Sequence, residues 1–218
     1  MVFGLITEGP TDQTVLRYIM SKFFADPDID IRSVQPNADS TDKADEDGGW
    51  GRVRNYCKSA DMLATLEAND YVVIQMDTDV CEDFGVKKRE GDRDLTAEEI
   101  IDKTKDIITS YIGTGINEKY SAKIIFAISH DSIECWLLPL YYTNNNRTKT
   151  LNCCEVLNRE LMKGDFTLDC NSKQNKFYTR IFRDKKDLLR NRKQIENMAV
   201  FNSSFQQFVS QLALIAPL

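Results

Sequence analysis

The sequence predicts an α/β fold: a mainly parallel sheet flanked by helices, followed by a C-terminal helical extension. Three observations carry this expectation. Apolar runs rich in β-forming residues recur at 2–7, 71–76 and 122–128, and the second is nearly continuous, as in a strand covered on both faces. Between them lie stretches with helical spacing of apolar residues, and strands alternating with helices imply βαβ crossovers. Beyond about residue 143 the β pattern fades, leaving helical segments near 151–163 and 201–215. The expected division is an α/β part over 1–142 and a helical, partly basic part over 143–218 packed on it.

Each element has its own reason. The run at 2–7 ends in Glu8-Gly9-Pro10-Thr11-Asp12, a turn from which a helix should start, with Thr11 or Asp12 as the N-cap. Val15, Leu16, Ile19, Met20 and Phe23 form the buried stripe of that helix. Alternation over 29–34 suits a half-exposed edge strand. Residues 36–49 are polar and acidic and read as a loop, and a second helix is expected over 52–67 with Val53, Tyr56, Cys57, Ala60, Leu63 and Ala64 inward. The strand at 71–76 ends in Asp77-Thr78-Asp79. A charged loop over 81–95 then leads to a helix at 96–112, and Ser129-His130-Asp131-Ser132 opens a short helix over 133–138.

Composition narrows the classes further. The chain has 218 residues, 42% hydrophobic and 28% charged, which excludes a disordered tail, a collagen-like repeat and a fibrous rod. No apolar run approaches the ~20 residues that span a bilayer, and the first residues do not read as a signal peptide. Six cysteines without C-x-x-C spacing, beside a single histidine, cannot supply a common Cys/His zinc cluster. Reduced thiols in a cytoplasmic protein are therefore expected, with Cys153 and Cys154 as ordinary buried thiols. A net charge of −6 argues against a general polyanion binder. Residues 26–47, however, hold eight acids against two bases, whereas 171–193 hold nine bases against two acids.

Acids collect where three expected strands end: Glu8, then Asp77 and Asp79, then Asp131 with Glu134. In an open parallel sheet ligands bind beyond the carboxyl ends of the strands. Carboxylates packed together there repel one another unless a cation or proton offsets them. An all-oxygen donor set suits Mg²⁺ or Mn²⁺. An Asp-x-Asp that merely caps a turn is the plainer reading of that motif alone.

Glu8-Gly9-Pro10-Thr11-Asp12 after a first strand, with Asp77-Thr78-Asp79 after an apolar one, resembles the TOPRIM domain of topoisomerases, primases and OLD-type nucleases. The likeness is nearest to small, stand-alone TOPRIM proteins of bacterial defence loci. Gly48-Gly49-Trp50-Gly51-Arg52, Ser132-Ile133-Glu134-Cys135-Trp136-Leu137-Leu138 and Asn202-Ser203-Ser204-Phe205-Gln206-Gln207-Phe208 look similar to that subgroup too. The resemblance implies a TOPRIM/Rossmann-like fold and one or two Mg²⁺ (or Mn²⁺) ions. It assigns Glu8 to metal binding or general acid/base work, Asp77 and Asp79 to the metal, Asp12 to the acid closing the first motif, and Glu134 to a second metal. The chain has no ATPase domain, P-loop or evident catalytic tyrosine, which sets it apart from the larger members.

The function expected on these grounds is a Mg²⁺-dependent nuclease acting on DNA or tRNA, an effector in bacterial antiviral defence. Phosphate would be gripped by the basic stretch: Lys173 or Lys176 close to the reacting phosphate, and Arg180, Arg183 and Lys185 on the backbone. Arg52 could meet a phosphate at a helix N-terminus, while Phe177 and Tyr178 could stack on bases or lie in the core. Two alternatives stand beside it. One is an effector inactive until it docks on an ATPase partner; the other is a Mg²⁺–nucleotide-binding protein without nuclease activity. Oligomers are possible, and no membrane partner is expected.

Overall fold

The computed structural model describes residues 1–37, 48–171 and 174–215. The acidic stretch 38–47 and Lys173 therefore lie outside the described residues. Four parallel strands form the sheet: β1 (Val2–Ile6), β2 (Asp30–Gln35), β3 (Tyr71–Asp77) and the strand Ile124–Ser129, in the order β2, β1, β3, Ile124–Ser129. The expected edge position of the second strand is met. In the charged segment after β3, β4 (Arg89–Glu90) and β5 (Arg93–Asp94) pair as a small antiparallel hairpin, and the fourth sheet strand is thus β6 (Ile124–Ser129).

Period-two alternation assigns each strand residue to one of two cores. Phe3, Leu5, Val73, Ile125 and Ala127 face one side; Ile6, Val72, Ile74, Met76, Ile124 and Ile128 face the other. The second side is covered by α2 (Gly48–Lys58), α3 (Asp61–Ala68) and α4 (Ala97–Ile112), with α5 (Thr114–Tyr120) leading into β6. The first side is covered by α1 (Pro10–Phe24), a 3-10 segment Ile133–Leu140, and α6 (Cys153–Leu161), α7 (Asn175–Asp184), α8 (Arg192–Ala199) and α9 (Ser203–Ile215).

Several expectations are corrected. The N-cap of α1 is Gly9, not Thr11 or Asp12, because Pro10 takes the first helical position, where its missing N–H costs nothing. The single helix expected over 52–67 is two. Ser59 Oγ donates to the Tyr56 carbonyl (2.8 Å) and accepts from the Asp61 N–H (3.2 Å), a local bonding that competes with the helix. The break shifts the phase, so Met62 and Leu66 are buried in place of Ala60, Leu63 and Ala64. The cysteines differ most: Cys135 is bonded to Cys153 and Cys154 to Cys170, while Cys57 and Cys81 stay free and buried. Spacing along the chain hides these bridges, because they join the 3-10 segment to α6 and α6 to the stretch before α7. Reduced thiols throughout are thus overturned.

The outer strands are closed off by side chains. Gln211 of α9 lies against β6 and treats Phe126 as a strand would, accepting from its N–H and donating to its carbonyl, each at 2.9 Å. On β2, the Arg17 guanidinium donates to the Ile31 carbonyl and, at 2.9 Å, to Ser33 Oγ. Asn202 caps α9 by accepting from the Phe205 N–H (3.0 Å), and Ser204 accepts from the Trp136 indole N–H (2.8 Å). Among the described residues no helix is long and apolar enough to cross a membrane.

Candidate functional site

Strands β1 and β3 are neighbours, yet the helices that follow them, α1 and α4, lie on opposite faces of the sheet. The carboxyl ends of such a pair of strands are the place where doubly wound folds take their ligands. Glu8 follows β1 and Asp77 ends β3, and the two are locked by a ring of three hydrogen bonds. The Glu8 N–H donates to Gln75 Oε1 (3.1 Å), Gln75 Nε2 to Asp77 Oδ1 (2.8 Å), and the Asp77 N–H to Glu8 Oε1 (2.9 Å). Gln75 is fully buried in an otherwise apolar strand. That lone polar residue was the signal the sequence offered for it.

The second acid of Asp77-Thr78-Asp79 is exposed, and its backbone is fixed by the loop after β6. The N–H groups of Thr78 and Asp79 both donate to the Asp131 carbonyl (2.9 and 3.0 Å), and Thr78 Oγ1 accepts from the Asp131 N–H (2.9 Å). Asp131 has φ of 66°, a left-handed conformation that aspartate tolerates better than most residues. Its carboxyl group is pushed up from the usual range, first by burial and then by the Asp79 charge. Lys88 Nζ donates to the Asp79 carbonyl (2.7 Å), bringing a cation to this edge that sequence reasoning passed over. His130 donates its backbone N–H to Ser204 Oγ (3.2 Å), and burial lowers its side-chain pKa.

Glu134 lies deeper. The 3-10 segment encloses it completely, and Oε1 accepts a short hydrogen bond from the Tyr178 hydroxyl of α7. Burial and the neighbouring Glu134 raise the Tyr178 pKa well above its ordinary value, with further contributions from the charges of Asp12 and Asp77. Asp12 and Asp77, 4% and 5% exposed, therefore lie within electrostatic reach of the same phenol. Glycine is required nearby, since a Cβ on Gly49 would come 2.7 Å from Glu8 Cβ and 2.9 Å from Glu8 Oε2. The first turn of α2 thereby rests on Glu8, and Arg52 lies one turn into that helix, not at its N-terminus as expected.

The expected acids thus fall into two layers: Glu8, Asp77 and Asp79 at the edge, Asp12 and Glu134 behind. No three of them bring oxygens within 4.8 Å of one another; among the described residues only Asp131, Cys135 and Cys153 do so. The two sulfurs of that trio are bonded to each other, which removes them as thiolate ligands. The oxygen set nevertheless fits Mg²⁺, which keeps several waters and needs only one or two carboxylates. Glu8 and Asp77, joined by the ring of hydrogen bonds, would be that pair.

The basic residues are placed less simply. Lys176 is exposed on the first turn of α7, beside Asn175, whose Oδ1 accepts from Thr14 Oγ1 of α1 at 3.0 Å. Arg180 lies over the Phe166 ring at 4.1 Å and donates to the Gly164 carbonyl (2.7 Å), and it shares Asp184 with Arg183. Lys185 sits over the Tyr141 ring at 4.2 Å. Within this stretch α7 is an amphipathic helix whose cations are partly committed within the fold, not a continuous stripe of phosphate contacts. Tyr178, buried and bonded to Glu134, is not placed to stack on a base.

No protein-family model, curated protein or solved structure matches the chain. The likeness to TOPRIM proteins stands on the motifs quoted above.

Proposed function

We propose that the chain is a Mg²⁺- or Mn²⁺-dependent nuclease, hydrolysing phosphodiester bonds of DNA or RNA, with antiviral defence as its setting. The observation that supports this reading best is the closing of Glu8 on Asp77 at the carboxyl ends of β1 and β3, with Asp12 and Glu134 within electrostatic reach of the same phenol, that of Tyr178. A divalent ion held there would supply charge stabilisation at the scissile phosphate and activation of water. Glu8, Asp77 and Asp79 would hold that ion, and Glu134 is the candidate for a second one. Gln75 and the Asp77 N–H fix the carboxylates of Asp77 and Glu8 before substrate arrives, so little reorganisation is left for the reaction. Arg52, one turn into α2, and Lys176, on the first turn of α7, would meet the nucleic-acid backbone.

A cytoplasmic setting belongs to this proposal only if Cys135–Cys153 and Cys154–Cys170 are remade against a reducing thiol pool. The test is cleavage of supercoiled DNA, single-stranded DNA and total tRNA in Mg²⁺, Mn²⁺, Ca²⁺ or EDTA, with Glu8→Gln and Asp77→Asn alongside. Cleavage that needs Mg²⁺ or Mn²⁺ and disappears in both variants is the expected result. Cleavage that survives both variants, or persists in EDTA, overturns the reading.

A further inference from the structure

Helix α7, which carries Lys176, Arg180 and Arg183, also carries an inward stripe, Tyr178, Ile181 and Phe182, at the i, i+3, i+4 spacing of a core-facing surface. That stripe packs α7 along α1. Tyr18 and Phe182 stack with centroids 4.1 Å apart, and Asn175 meets Thr14, two residues past Glu8-Gly9-Pro10-Thr11-Asp12. Tyr178 is thereby set at the level of Asp12, on the side of the sheet where the 3-10 segment delivers Glu134. The covalent framework runs the same way: Cys135, next to Glu134, is bonded to Cys153, and its neighbour Cys154 is bonded to Cys170, just ahead of α7. Both partners of the Tyr178–Glu134 hydrogen bond therefore come from segments tied together through α6.

A carboxylate on a 3-10 turn has several rotamers, and an acid that serves a cation works only in one of them. A phenol offers a single O–H donor on a stiff ring, and the ring of Tyr178 is locked in the core. Donors of this kind, one bond removed from a metal-binding acid, set its orientation and are nearly as necessary as the acid itself. We infer that Tyr178 is a positioning residue of the acid site, acting through Glu134, and that the site is completed only when α7 docks. This rests on the metal-site reading proposed above and adds the C-terminal helical part to a centre otherwise built from the α/β part.

The experiment is a double-mutant cycle on the full chain, read by calorimetric Mn²⁺ binding without nucleic acid. Tyr178→Phe keeps the ring and removes only the hydroxyl. Glu134→Gln keeps the acceptor and removes the charge. The expected result is Mn²⁺ affinity about tenfold or more weaker for Tyr178→Phe, with the double variant no weaker than Glu134→Gln alone. Thermal unfolding of Tyr178→Phe checks that the fold is retained. Unchanged affinity in Tyr178→Phe, or losses that multiply in the double variant, overturns the positioning role and leaves the metal site standing. A wild-type chain that binds no Mn²⁺ removes the metal site itself, and the positioning role with it.

Discussion

The two faces of the sheet are covered in opposite ways. One is closed by α2, α3 and α4, all within the crossovers that join consecutive strands, and it holds the two free cysteines in apolar surroundings that push the Cys57 thiol up to about 12. The other is closed by α1 together with helices that follow the last strand, and it needs two disulfides and a buried hydrogen-bond network to hold them. Local crossovers fold onto the sheet with little loop to close, whereas a long C-terminal segment must order many more residues before it gains any contact. Cross-links are concentrated where that cost is greatest. The candidate site sits between the two, with acids on the sheet and the positioning phenol on the late-arriving helix.

The contrast is broken most severely at Trp136. It stacks on Phe205 and Phe208 with centroids 5.0 and 5.4 Å away and bonds Ser204, joining the 3-10 segment to α9. Trp136→Ala should lose about 3–5 kcal/mol, a large part of the stability of an ordinary domain; denaturant unfolding measures it. Next comes the Cys135–Cys153 bridge, which closes a sequence separation of 18 residues. Replacing both cysteines with serine should cost about 3 kcal/mol, and a reductant should lower the wild-type unfolding midpoint while Cys57→Ser leaves that sensitivity intact. A midpoint indifferent to reductant would remove the bridges from the account of this face.

Gly49→Ala tests the opposite face at the point where it touches the site. Crowding against Glu8 should cost about 1–3 kcal/mol and displace the carboxylate, so divalent-metal binding should weaken together with the unfolding midpoint. The smallest effect lies far from the late helices. Thr96 and Glu99 form a capping box at the start of α4, and Arg93 holds Glu99 through two hydrogen bonds at 2.7 and 2.8 Å. Thr96→Ala should cost about 1 kcal/mol. The Arg93 bonds come first in lowering the Glu99 pKa to about 2. Because the folded value lies below the unfolded one, the contribution is complete above about 4.5 and is lost as pH falls towards 2. A carboxyl NMR titration in Arg93→Ala should move Glu99 back towards its ordinary range.

Three sheet strands were legible as apolar runs that end in turn chemistry and the fourth, β2, by its alternation, and the acids after the three runs could be placed at one edge by topology alone. What remained hidden depended on partners remote in sequence. Gln75 looked like an interruption in an apolar strand until its amide met Glu8 and Asp77. Tyr178 looked like an aromatic among bases, because nothing local to 173–193 announces that its hydroxyl reaches back to Glu134. Cys135, Cys153, Cys154 and Cys170 lack a spacing motif, since their pairing follows from how α6 folds over the 3-10 segment. The break at Ser59 was missed for the converse reason: a local side-chain bond overrode an apolar periodicity that continued on paper.

Gln211 and Arg17 have a consequence for how copies of this chain can meet. An open sheet is a template that another strand can extend, and each of its two margins is a separate invitation. Here a glutamine amide occupies the peptide of Phe126 at one margin, and a guanidinium holds the Ile31 carbonyl at the other. The sheet terminates itself on both sides with atoms of its own helices. Oligomers of this protein would then assemble through helix surfaces or loops, and strand-to-strand growth would begin only after α9 or α1 had lifted from its margin.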